Sequence, residues 1–263
     1  MNHFEQLAIA AAVSAAMLGA SVAEAHVSYN SGPQSGANSQ FPNTTNASFA
    51  VWTGGAPTGY QGKMQVDWVA FVHNDSNPNA SYFVSTADAV AEGAPDAYVL
   101  QSINNKWNPA NSWGNALDYG LIDLHADANL TITVAADASL DSTFTPAFTL
   151  WSGWDQGTGN KHGAWNADPF NPGNRGATGI TYAGHSAATT AGGSTTYTFY
   201  NLPAGEYSLW IGGNGTSNIS TGQQYTATIA AAPVPIPAAA WMFGSALAGI
   251  GVMGRRKNLG ETA

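Results

Sequence analysis

The residues able to do chemistry in this 263-residue chain are few. It has no cysteine, so thiol nucleophiles and thiolate metal sites are excluded. No G-x-S-x-G, H-E-x-x-H, P-loop or G-x-G-x-x-G opening a helix occurs. Histidine is the most useful type that remains. Ala23-Glu24-Ala25 is a small-x-small cleavage site. Cleavage after Ala25 leaves His26 with a free α-amine beside its imidazole, a nitrogen pair of the kind that ranks copper highest among divalent first-row metals. His162 and His185 lie in a long loop-like insertion, 151–193, and are further candidate ligands. His73 and His125 end predicted strands and are expected to be satisfied structurally.

The same insertion carries Trp151, Trp154, Trp165 and Tyr182. Aromatic faces on a sandwich loop can stack on sugar rings, with Asp155, Asn160, Asn166 and Asn171 as hydrogen-bonding neighbours. The alternative is that these rings pin a long loop to the core. Asp155-Gln-Gly-Thr-Gly-Asn160 is rich in oxygen donors, and calcium is a weaker expectation than copper because the EF-hand spacing is missing. The other aspartates are scattered through turn-like sequence, so no paired glycosidase acid and base stands out.

The elements that must hold these residues read as an all-β fold. Leu130-Thr-Ile132-Thr-Val134 alternates apolar and hydroxyl side chains, as does 148–150, and 195–200 and 206–211 are further strands rich in aromatic and β-branched residues, with 225–229 closing the set. Further strands are expected at 47–53, 65–73, 81–85 and 98–103. The strand at 65–73 is apolar on both faces and therefore central. A short helix is expected at 85–92. Pro203 and Gly205 mark a turn in 201–205. The expectation is one antiparallel β-sandwich or jelly roll over 26–233, regular from about 118 to 230. Asn, Ser and Thr make up 22, 21 and 23 residues, and charged residues only 9%. Nine tryptophans and 11% aromatics nevertheless supply a core.

Both ends read as addresses. Residues 1–25 contain a 14-residue apolar stretch, 7–20, and read as a signal helix. Val234-Pro235-Ile236-Pro237 precedes 17 apolar residues, 238–254, and then Arg255, Arg256 and Lys257. As a helix that run spans about 25 Å, the short limit for a bilayer, with its basic end cytoplasmic. This layout resembles the PEP-CTERM sorting signal in its V-P-x-P-A variant. The resemblance implies a Gram-negative bacterium, a transient inner-membrane tether, cleavage near Val234, Pro235 and Pro237 by an exosortase-type membrane protease, and release to the surface or extracellular matrix. The Leu-x-Ile-x-Val strand, the Leu-Pro-Ala-Gly-Glu-Tyr turn and the Tyr-x-Leu-x-Ile strand over 118–230 resemble prepeptidase C-terminal-type modules, which implies a non-catalytic role in display or binding. The body holds thirteen acids against four basic residues, which argues against nucleic acid as a partner. The secretion machinery, the sorting protease and an extracellular polysaccharide are the expected partners. The reading is thus an exported, non-enzymatic surface protein, with copper binding at His26 or glycan binding at 151–185 as alternatives.

Overall fold

The computed structural model describes residues 26–31, 52–62, 66–94, 118–137, 144–157, 178–187, 189–213, 224–235 and 242. The expected signal helix and C-terminal apolar helix fall outside these residues, as do the expected strand at 98–103, most of the one at 47–53, and Trp165 and His162. Among the described residues no helix is long and apolar enough to cross a membrane.

Among the described residues ten strands form two sheets. They are β1 (His26–Tyr29), β2 (Trp68–Val72), β3 (Ser81–Val84), β4 (Asp118–Leu124), β5 (Ala128–Ala136), β6 (Pro146–Ser152), β7 (Thr181–His185), β8 (Ser194–Leu202), β9 (Gly205–Gly213) and β10 (Tyr225–Pro233). One sheet has the order β1-β2-β4-β9-β6-β7 and the other β3-β10-β5-β8. A short helix, α1 (Thr86–Ala91), follows β3. Ser85 caps it, its side chain accepting from the Asp88 N–H at 3.0 Å; this satisfies one of the donors that a helix start leaves open.

The alternation in β5 sends Leu130, Ile132 and Val134 into the space between the sheets and leaves Thr131 and Thr133 outside. There Thr131 and Thr133 pair with Thr198 and Thr196 of β8, hydroxyl to hydroxyl, at 2.9 and 2.8 Å. The inter-sheet core also takes Trp68, Ile122, Leu124, Phe148, Leu150, Leu209, Ile211, Tyr225 and Ile229. A second apolar cluster covers the other face of the six-stranded sheet, with Tyr60, Val69, Tyr119, Leu121, Trp151, Trp154 and Trp210. Its presence explains why β2, β4 and β6 are apolar on both faces. The arch over 201–205 crosses between sheets: Asn201 has φ 55°, Gly205 has φ 146°, and the Tyr207 hydroxyl donates to the Pro203 carbonyl at 2.6 Å.

One pairing departs from the antiparallel expectation. β2 and β4 run parallel, with Val72 beside Leu124. Every other named pair is antiparallel. Two parallel neighbours end on the same side of a sheet, so the residues that follow them lie next to each other.

Candidate metal centre

The residues that follow β2 and β4 are His73 and His125. The His125 N–H donates to the Val72 carbonyl at 3.1 Å, extending the parallel pairing one step. The two Nδ1 atoms then lie 3.1 Å apart, with the rings edge to face at a centroid distance of 4.4 Å. A carboxylate oxygen of Asp75 is 3.7 Å from His125 Nδ1. One donor atom from each of His73, Asp75 and His125 lies within 4.8 Å of the others.

The backbone around them is tied down. The His73 N–H donates to the Tyr82 hydroxyl at 2.7 Å, and the His73 carbonyl accepts from Asn77 N–H at 2.9 Å and from the Ser76 hydroxyl at 3.0 Å. On the far side of His125, Nε2 faces an Asp123 carboxylate oxygen at 3.7 Å. Asp75 and Asp123 stand at equal distances from the two ring nitrogens, and metal binding through Nδ1 requires the tautomer with the proton on Nε2, beside Asp123. Burial, followed by the neighbouring His125, lowers the pKa of His73. Its imidazole is therefore neutral at pH 7, which is the form that binds metal.

Simple geometry tests the fit. With metal–nitrogen bonds of about 2.0 Å, a 3.1 Å nitrogen separation subtends about 100° at the ion. That value lies between the cis angle of a square plane and the tetrahedral angle. Two imidazoles and a carboxylate on the protein surface, Asp75 side chain 56% exposed, leave further positions to solvent or a ligand. The donor set suits copper or zinc, with copper ahead in intrinsic affinity.

No family model matches the chain, and no curated protein does. Solved structures do. CorA, a surface-associated copper-binding protein important in copper acquisition in Methylomicrobium album BG8, is 14% identical, with 62% of this chain and 97% of that chain covered at a TM-score of 0.35. The pre-peptidase C-terminal domain of the Bacillus anthracis collagenase is 11% identical, covering 62% and 91% at 0.26. MopE, a secreted protein of Methylococcus capsulatus whose copper binding an oxidised tryptophan facilitates, is 12% identical, covering 59% and 85% at 0.32.

The candidates read from the sequence are placed elsewhere. His26 opens β1 opposite Phe71 and stacks on that ring at 5.9 Å. Its Nε2 accepts from the Gly55 N–H at 3.2 Å, so that nitrogen is engaged, and His26 is not among the three converging groups. His185 meets the Tyr182 hydroxyl through Nδ1, and burial lowers its pKa. Burial pushes the Tyr182 phenol up to about 12. Trp151 and Trp154 are buried in the second cluster, which is the loop-pinning role rather than a platform open to a sugar face. The Trp154 N–H points at the Ile122 carbonyl at 3.4 Å. One oxygen of the buried Asp155 accepts from the N–H groups of Gly157 and Thr178 at 2.8 and 3.0 Å, so it organises a turn.

His73 and His125, each read alone, carry only the expectation of a structural strand end. A signal for them exists: Val72-His73-Asn74-Asp75 and Leu124-His125-Ala126-Asp127 both place His-x-Asp directly after an apolar strand.

Proposed function

We propose that this chain is an exported, non-enzymatic protein of a bacterial surface or extracellular matrix that binds one copper ion through His73, His125 and Asp75. The observation that carries the metal reading is the 3.1 Å approach of two imidazole Nδ1 atoms with a carboxylate beside them. The ion is held at the end of a rigid sheet, and the acids Asp75 and Asp123 give the site a negative field that draws a cation in. This centre is separate from the copper site read at His26, which is not among its three donors. Support for export and sorting comes from the terminal segments, and support for a binding role comes from the absence of catalytic motifs in the sequence.

Titration of the secreted protein with Cu(II), followed by spin resonance and by competition with a chelator, tests the centre. The expected result is one site per chain whose signal shows two nitrogen ligands, lost in both His73→Ala and His125→Ala. Undiminished binding by either variant overturns the assignment, and a preference for zinc over copper overturns the metal. Mass spectrometry of the released protein tests the sorting claim: a mass that still includes 238–254 refutes removal at 234–237.

A further inference from the structure

The three donors sit on two separate turns, and one buried amide joins them. Asn74 lies between His73 and Asp75 and is 5% exposed. Its Nδ2 donates to the Ala126 carbonyl at 2.6 Å, and its Oδ1 accepts from the Ala126 N–H at 2.8 Å. Ala126 is the residue after His125. Satisfying an N–H and a C=O of one residue fixes the orientation of the amide, so the pairing works like a further rung of the β2/β4 ladder made by a side chain. A buried amide costs free energy unless it is paired, and this one is paired twice.

We infer that Asn74 is a positioning residue of the metal centre, holding the turns after β2 and β4 so that the His73 and His125 Nδ1 atoms stand at chelating distance before the ion arrives. This rests on the metal reading above. Its physical basis is pre-organisation. Turns that are already ordered lose no further freedom when the metal binds, so the binding free energy is not spent on ordering them. The clamp touches no ligand atom. It acts through the backbone of Ala126 and through the chain on either side of Asn74.

The test is Cu(II) affinity of the secreted protein by chelator competition, with thermal unfolding measured on the same samples. Asn74→Ala is expected to weaken copper binding about tenfold, the lower end for a supporting residue around a metal, and to broaden the spin-resonance signal. Thr133→Ala removes a hydroxyl pair on the other sheet; it is expected to lower stability and leave copper affinity unchanged. In a His125→Ala background, adding Asn74→Ala is expected to change nothing more. Asn74→Asp separates position from charge and serves also if the alanine variant does not fold. It keeps an acceptor for the Ala126 N–H, faces the Ala126 carbonyl with a second acceptor, and adds a negative charge. Attraction alone would tighten copper binding, whereas loss of the clamp weakens it.

Wild-type affinity in Asn74→Ala, tighter binding in Asn74→Asp, or equal weakening with and without His125 overturns the role of Asn74. If the wild-type protein binds no copper, or His125→Ala binds as wild type, the metal reading fails, and this inference fails with it.

Discussion

Removing the hydroxyl of Tyr225 exposes how much the core depends on a buried polar chain. Tyr225 opens β10 and is fully buried. Its hydroxyl donates to the carboxylate of Asp118 and accepts from the Trp68 indole N–H at 2.8 Å. The second oxygen of Asp118 accepts from the Tyr119 N–H at 3.1 Å, and Asp67 hydrogen-bonds the same carboxyl. Tyr225→Phe keeps the ring and strips both contacts. The indole N–H and one carboxyl oxygen are left without that partner in a dry interior, at roughly 1–3 kcal/mol each. A net loss of about 3 kcal/mol is expected. For a domain of this size this lowers the melting temperature by roughly 6–12 °C. The loss depends on pH. Burial holds Asp118 above the usual carboxylate range, and the Tyr225 hydroxyl works against that rise. The folded state therefore keeps its proton where the unfolded chain, with a pKa of about 3.9, releases it. Stability from this group is full below that value and is lost as pH rises through the folded pKa. Phenylalanine raises the folded pKa further and widens the window, so the deficit grows as pH rises through the wild-type folded pKa. Urea unfolding followed by tryptophan fluorescence across the pH range measures it. A deficit under about 1 kcal/mol at pH 7, or one that shrinks as pH rises, refutes the reasoning.

Three other perturbations separate structural from functional residues. Gly120→Ala places a Cβ about 2.1 Å from Trp68 Cζ2; overpacking of a rigid buried ring costs about 3 kcal/mol or more, read as a lower urea midpoint. Ser85→Ala removes the α1 cap and is expected to cost about 1 kcal/mol by the same assay, whereas Ser85→Asn restores most of it. Trp154→Ala opens a cavity in the second cluster and costs roughly 3–5 kcal/mol; polysaccharide binding, measured on the folded fraction, is unchanged, and a selective loss of glycan affinity at unaltered stability would favour the sugar-platform reading.

The strands that alternate were legible because a half-buried strand writes its two faces directly into the sequence. β5 shows this with Leu130, Ile132 and Val134 inside and two threonines outside. The central position of β2 was legible for the related reason that a doubly covered strand has no polar face. Neither pattern says which strand lies beside which. The metal centre depends on that information, because His73 and His125 are brought together by a parallel pairing across a long stretch of chain. Parallel neighbours need a crossover, and no local turn signal announces one. His26 looked more chemical because its setting was local: one cleavage site, one amine, one ring. His73 and His125 each looked like ordinary strand ends, and each alone would be. What a single strand end lacks is a partner ending on the same side at the same level. Once β2 and β4 are parallel and in register, the repeated His-x-Asp after each supplies two imidazoles and a carboxylate together, and the residue between His73 and Asp75 becomes the one best placed to bridge the turns. The site is thus a product of topology acting on two unremarkable local motifs, and the variants that test it are those at the junction, Asn74 and His125, rather than those at the mature N-terminus.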